Sequence, residues 1–178
     1  MCPMGQPSIP KKAALVVSVI YQKTPVRDEA LRMLSEAFGA GATHPDVMAF
    51  DKTEYYSIEM GAPLYRVLWI AGALFGRHRL PAIKLATNEI EKRLARRGGA
   101  RRVNLDPGLL SAENFVLATT KNFTHRVYLR KGIYADLTLV YRKGEYTPLE
   151  WTYPDYASVE IRNVLKTWRN TYIRKARQ

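Results

Sequence analysis

Residues 13–21 read Ala-Ala-Leu-Val-Val-Ser-Val-Ile-Tyr, an almost unbroken apolar run rich in β-branched side chains. A run of this kind forms a buried strand, because a strand with one wet face would alternate apolar with polar positions. It is therefore read as the first and central strand of a sheet. The twelve residues before it, with Pro3, Pro7 and Pro10, read as a flexible leader, so that one domain spans 13–178. No basic start followed by a long apolar run is present, and thus no signal peptide is expected.

After that strand, Thr24 as N-cap and Pro25 at the first turn open a helix. Its apolar stripe is Ala30, Leu31, Leu34, Ala37 and Phe38, and Gly39 stops it. Gly39 to Pro45 reads as a loop. Val47–Tyr56 and Leu64–Ala73 read as strands joined through Met60-Gly61-Ala62-Pro63. Pro81 opens a second helix that runs to about Arg97 and ends at Gly98-Gly99. A strand at Arg101–Leu105 would complete the βαββαβ order of ferredoxin-like folds. Beyond it the pattern predicts a short helix capped by Ser111 and running to Ala118. A hairpin of His125–Leu129 with Ile133–Tyr141 turns at Lys131-Gly132, and a second turn at Lys143-Gly144 leads into Glu145–Trp151. Ser158–Lys175 closes the chain as a helix with Ile161, Val164, Leu165, Trp168 and Tyr172 on one face. The expected fold class is α+β, a single ferredoxin-like unit extended by a β-hairpin and meander and a C-terminal helix.

Twenty-eight Lys and Arg against 16 Asp and Glu give a formal charge of +12, which favours polyanionic partners. The only cysteine is Cys2, so neither a disulfide framework nor a cysteine metal cluster can be built, and a reducing cytoplasm fits. The most apolar window, Ala62 to Gly76, is interrupted by Arg66 and falls short of the ~20 residues a membrane helix needs. Several chemistries are absent. There is no G-x-x-x-x-G-K-[ST] phosphate loop and no G-x-S-x-G elbow, and His44, His78 and His125 lack metal-ligand spacing.

Polar side chains crowd the stretch from Asn104 to Tyr156. Asp106, in Asn104-Leu105-Asp106-Pro107-Gly108, is either ordinary turn chemistry after a strand or an acid–base or cation-binding group. Thr120, Lys121, His125 and Arg126 stand at a helix-to-strand junction, where an ammonium, an imidazole and a guanidinium could converge on phosphate or carboxylate. Strand alternation would send His125 and Arg126 to opposite faces, leaving one of them structural. Tyr128 and Tyr134 flank this junction. On the second helix Lys84, Asn88 and Glu91 fall at i, i+4 and i+7. That stripe reads as a solvated face, or else Asn88 and Glu91 form the capping box of a helix that starts later, with residues 83–86 ending a strand. The functional alternative puts Glu91 beside Asp106. Asp51, Glu54, Tyr55, Tyr56 and Glu59 form an acidic, aromatic segment. A second aromatic cluster, residues 151–156, reads mainly as core, with base or sugar stacking as its alternative. Six basic residues between Lys92 and Arg102, and five after Leu165, form two basic patches.

Four strings taken in order are familiar: residues 87–91 (TNEIE), residues 104–108 (NLDPG), residues 125–129 (HRVYL) with 132–135 (GIYA), and residues 151–156 (WTYPDY). Together they resemble a family of short prokaryotic proteins of unknown function, often labelled GTP-binding. The resemblance covers nearly the whole chain and departs at Asp136, where the family more often carries glutamate.

The reading is thus a cytoplasmic domain that binds an anionic small molecule, nucleotide or phosphorylated. Lys84, Asn88, Asn104, Thr120, Lys121, Arg126, Tyr128 and Tyr134 are the candidate ligand residues, and Asp106, His125 and Glu91 the candidate acid–base groups. An RNA- or DNA-binding module using the basic patches is the alternative. No metal site is expected and no cofactor is implied.

Overall fold

The computed structural model describes residues 4–51 and 56–176. Residues 4–12 are exposed and carry no helix or strand. Strand β1 (Ala13–Tyr21) is buried at all nine positions. It lies between β4 (Tyr65–Phe75) and β5 (Val103–Leu110), antiparallel to both. The lack of alternation in its sequence has a direct cause, since both faces are covered. Leu15, Val17 and Val19 pack with α1 (Thr24–Phe38) and α3 (Leu80–Leu94), while Ala14 and Val16 pack with α4 (Val159–Lys175).

Helix α1 buries Val26, Ala30, Leu34 and Phe38, one residue per turn, and ends at Gly39, whose φ of 86° favours glycine. Thr24 is not its cap. The cap is Lys23, whose carbonyl takes the Val26 and Arg27 N–H groups, and Thr24 is the first helical residue. The expected loop at Gly39 to Pro45 contains a short strand, β2 (Gly41–Thr43), on the outer edge of β4. Gly41 is required there because a Cβ would stand 2.3 Å from the Trp69 ring. Of the strand expected over Val47–Tyr56, the described residues show β3 (Met48–Ala49), and the helical turn α2 (Ser57–Met60) follows. Residues 52–55, with the Glu54 and Tyr55 of the acidic segment, lie outside the described residues.

The second helix runs without interruption through Asn88, preceded by a 3-10 turn at Arg77–Arg79. The capping-box alternative therefore fails, because Asn88 lies within α3. Two further expectations change at β5 and beyond. Asp106-Pro107-Gly108 is not a turn, since β5 continues through it to Leu110 in register with Ser18, Val17 and Val16. A proline fits mid-strand because β6 (Asn114–Thr119) pairs with β5 only from Gly108 onward, so no partner waits for the missing N–H. The helix expected from Ser111 to Ala118 is β6 itself. Ser111 instead ties the β5–β6 turn, its hydroxyl accepting the Glu113 and Asn114 N–H groups at 3.2 Å each. Phe115 and Leu117 on one face of β6 and Ala118 on the other show the period of two that overrides a helix.

The hairpin of β7 (Arg126–Arg130) and β8 (Ile133–Arg142) turns on Lys131 and Gly132, both at positive φ, and Lys143-Gly144 repeats the device before β9 (Glu145–Pro148). Ser158 caps α4 by accepting the Ile161 N–H. The sheet order is β2-β4-β1-β5-β6-β8-β7, with β3 on β4 and β9 on β8, every pair antiparallel. The protein is thus a mixed α/β domain, one antiparallel sheet with α1 and α3 on one face and α4 on the other. No helix among the described residues is long and apolar enough to cross a membrane.

A Cβ at Gly108 would meet the Phe115 ring at 2.5 Å, and Phe115 is fully buried and cannot retreat. Gly108→Ala is expected to destabilise the domain by about 1–3 kcal/mol, read as a lower urea midpoint at unchanged slope.

Candidate functional site

Below Gly108 the strands β5 and β6 part, and the split opens a cleft of about 590 Å³. In this stretch β5 has an open edge, where the Leu105 N–H and C=O have no strand to pair with. Helix α3 supplies the partners. Glu91 Oε1 accepts the Leu105 N–H at 2.5 Å, and Lys84 Nζ donates to the Leu105 carbonyl at 2.9 Å. The helical stripe is therefore not a solvated face. Lys84 and Glu91 are buried at 6% and 8% exposure, while Asn88 between them is half-buried on the cleft wall.

The Lys84 ammonium also reaches Asp106 Oδ1 at 3.3 Å, and Asp106 Oδ2 accepts from Asn104 Nδ2 at 2.7 Å. Asn104 Oδ1 in turn accepts from Arg101 Nη1 at 3.0 Å. Arg101 clamps Glu59 through its backbone N–H (2.8 Å), Nε (2.9 Å) and Nη2 (2.6 Å), which holds the Glu59 carboxyl below the usual range. One continuous polar chain thus runs from Glu59 to Glu91. Burial pushes the Glu91 carboxyl up to about 7, and the Asp106 charge adds to the rise. Lys84, the Leu105 N–H and Arg101 oppose it. A carboxyl set near neutrality can take or give a proton under ordinary conditions.

The opposite wall comes from the end of β6, the β7–β8 hairpin and the segment before α4. Thr120 and Lys121 line it, as does Arg126. Arg126 spends its whole guanidinium, with Nε on Asp136 Oδ2 (2.9 Å), Nη1 on the Lys121 carbonyl (3.1 Å) and Nη2 on the Tyr153 hydroxyl (2.9 Å). The expected separation of His125 from Arg126 does not hold. His125 precedes β7 and escapes strand alternation, so both side chains reach the same oxygen, with His125 Nε2 at 3.2 Å. His125 itself stands behind Asp136, outside the cleft, stacked on Trp151 at 5.0 Å and 10°. Tyr128 and Tyr134 also lie off the cleft, where they pack edge-on against each other at 5.4 Å. The aromatic cluster divides. Tyr156 is core, whereas Tyr153 is half exposed at the lip and Trp151 donates its indole N–H to the Leu137 carbonyl at 2.8 Å.

Sequence reasoning missed Arg66 and Asp155. Arg66 is 3% exposed, held between the rings of Phe50 (4.7 Å) and Tyr156 (5.0 Å), and its Nη2 pairs with Asp155. The signal was present as a lone charge inside the most apolar window of the chain. A buried arginine in a strand demands a partner, which sequence alone cannot locate 89 positions away. Arg101 and Asp136 also went unweighted as partners. Six cations line the cleft against four carboxylates. Among the described residues no group of three or more His, Cys, Asp or Glu side chains could hold a metal ion.

Raising a carboxyl above its ordinary 4.5 makes the folded state bind the proton more tightly than the unfolded chain. The associated stability, on the order of 3 kcal/mol, is fully present below about 4.5 and is lost as pH rises through about 7. Glu91→Gln keeps an acceptor for the Leu105 N–H and removes the titration. Its melting temperature is expected to stay level across that window where the native protein declines; an unchanged decline would assign the titration elsewhere.

No curated protein and no solved structure matches the chain. A family model described as a domain of unknown function, DUF4416, matches residues 11–172, from just before β1 into the last turns of α4. With nearly its whole length matched, the chain belongs to the DUF4416 family of domains of unknown function.

Proposed function

We propose that the cleft at the β5–β6 split binds a small anionic ligand, a nucleotide or another phosphorylated molecule. The observation that carries this reading is the surplus of cations around a hollow of ligand size, within the ~300–1,000 Å³ usual for such sites. Lys121 and Lys92 stand on its wall for the charged end, and the exposed Tyr153 ring offers a face for a planar end. Glu91, with Lys84 and Asp106 beside it, is the acid–base group, and the reaction class it fits is proton transfer on the bound ligand. His125 acts through Asp136, holding the carboxylate that orients Arg126. A reducing, cytoplasmic setting accords with the single cysteine.

The same reading takes β1, α1, β2, β4, α3 and β5 as a ferredoxin-like unit, supported by the order β2-β4-β1-β5 with α1 and α3 packed on the same face. The hairpins β6 to β9 and α4 extend it and supply the second wall.

An RNA- or DNA-binding role is the second reading, favoured by exposed Arg93, Arg96, Arg97 and Arg102 at and after the end of α3. The basic residues of α4 support it less. Arg162 and Arg169 are spent on the carbonyls of Ala157, Tyr146 and Ala112.

A thermal-shift panel of nucleotides and phosphorylated metabolites decides between them. A ligand at about a hundred times its Kd should raise the melting temperature by roughly 5–10 °C, and Lys121→Ala should abolish most of that gain. A flat response to every small anion, alongside salt-sensitive retention of nucleic acid, would replace the first reading with the second.

A further inference from the structure

Arg66 is a buried charge that is only partly satisfied. Its Nη2 meets Asp155, but its Nε is buried and has no partner. Ser18 Oγ and the Tyr156 hydroxyl are buried on the same floor, near each other but without a partner of good hydrogen-bond geometry. Strand register puts Ser18 and Arg66 on one face of the sheet, because Ser18 stands opposite Leu68 and Ile20 opposite Arg66. Buried donors left empty cost stability and are uncommon in folded proteins unless something fills them in the working state.

The position of Arg66 adds to this. It and Asp155 line both the cleft and a second cavity of about 680 Å³ between β3 and α4, so their ion pair forms part of the partition between the two. A flat guanidinium fixed between two rings is preorganised to receive two oxygens of a carboxylate or phosphate at its edge. In the free protein Asp155 supplies one carboxylate from the segment between β9 and α4, which also carries Tyr153 to the lip.

We infer that Asp155 is an internal stand-in for the ligand: Arg66 exchanges the Asp155 carboxylate for a carboxylate or phosphate group of the bound molecule, and residues 152–155 are released in the exchange while Tyr156 stays in the core. This rests on the cleft being the ligand site and names the residue that reads the ligand's acidic group. The Tyr156 and Ser18 hydroxyls are the further donors that the incoming oxygens approach. Lys121, on the opposite wall, serves the outer end of the ligand, so the two residues act on separable parts of it.

The full chain and its Asp155→Asn variant are titrated with inorganic phosphate, acetate and nucleoside monophosphates, following melting temperature. Without added anion Asp155→Asn melts lower, because Arg66 has lost its counter-charge. With anion it is expected to bind at least tenfold more tightly than the native chain, and adding Arg66→Lys should erase the gain. Phosphate rather than acetate producing the response would identify the acidic group. A variant that strands a buried guanidinium can fail to fold, so the native chain supplies a second reading by hydrogen exchange. Ligand should speed exchange in residues 152–155 while slowing it along the edge of β5 at Leu105. Native binding that Lys121→Ala weakens, with no gain in Asp155→Asn or with slowed exchange in 152–155, overturns the exchange and leaves the cleft reading intact. No response of either protein to any anion overturns both.

Discussion

Everything distinctive about this domain follows from the point at which β6 leaves β5. A strand edge inside a folded protein must have its N–H and C=O groups answered. Here the answer comes from two charged side chains of a helix. Glu91 and Lys84 take the donor and acceptor of the same residue, Leu105, and so stand where a neighbouring strand would stand. That substitution is what leaves space beside the sheet, and it sets the Lys84 ammonium against Asp106 with the Glu91 carboxyl in their field at the bottom of that space. The cleft and its electrostatics are one consequence of a single missing stretch of pairing.

The network is tightly constrained because its members share partners. Asp106 is held by Lys84 and Asn104, Asn104 by Arg101, and Arg101 by Glu59. On the other wall Asp136 serves both His125 and Arg126. Buried polar groups linked in this way fix geometry more than they add stability, since the desolvation of each charge offsets most of its attraction. Placement of side chains around the cleft is therefore largely decided before any ligand arrives.

Much of the scaffold was legible. The continuous run of β1, the glycine stop of α1, the two Lys-Gly hairpin turns and the face of α4 are local signals, and each is realised close to where the sequence puts it. The errors share a cause. Asp106-Pro107-Gly108 has the composition of a turn, and only the absence of a strand opposite Pro107 lets it stay extended. Residues 111–118 can be written as a helix until the hairpin with β5 claims them. The site was half legible for the same reason. Lys84, Glu91, Asn104, Asp106, Lys121 and Arg126 announce themselves by polarity, but the face they turn inward depends on the open edge. Arg66 and Asp155 meet only through tertiary structure, and Tyr128 and Tyr134 were drawn in by proximity along the chain alone.

The far end of the sheet carries its own consequence. Strand β7 is the last in the order, so one side of its backbone faces solvent, and Val127, Tyr128 and Leu129 along it are exposed. An apolar edge of this kind invites a foreign strand to add itself. Arg126 and Arg130 bracket those three residues, one bonded to Asp136 and the other to the His78 carbonyl. A second chain adding itself there would find a strand of only five residues, which offers little pairing. The residue that opens this last strand, Arg126, is thus committed inward, to Asp136 and the cleft wall, and the apolar face that follows it is left to solvent.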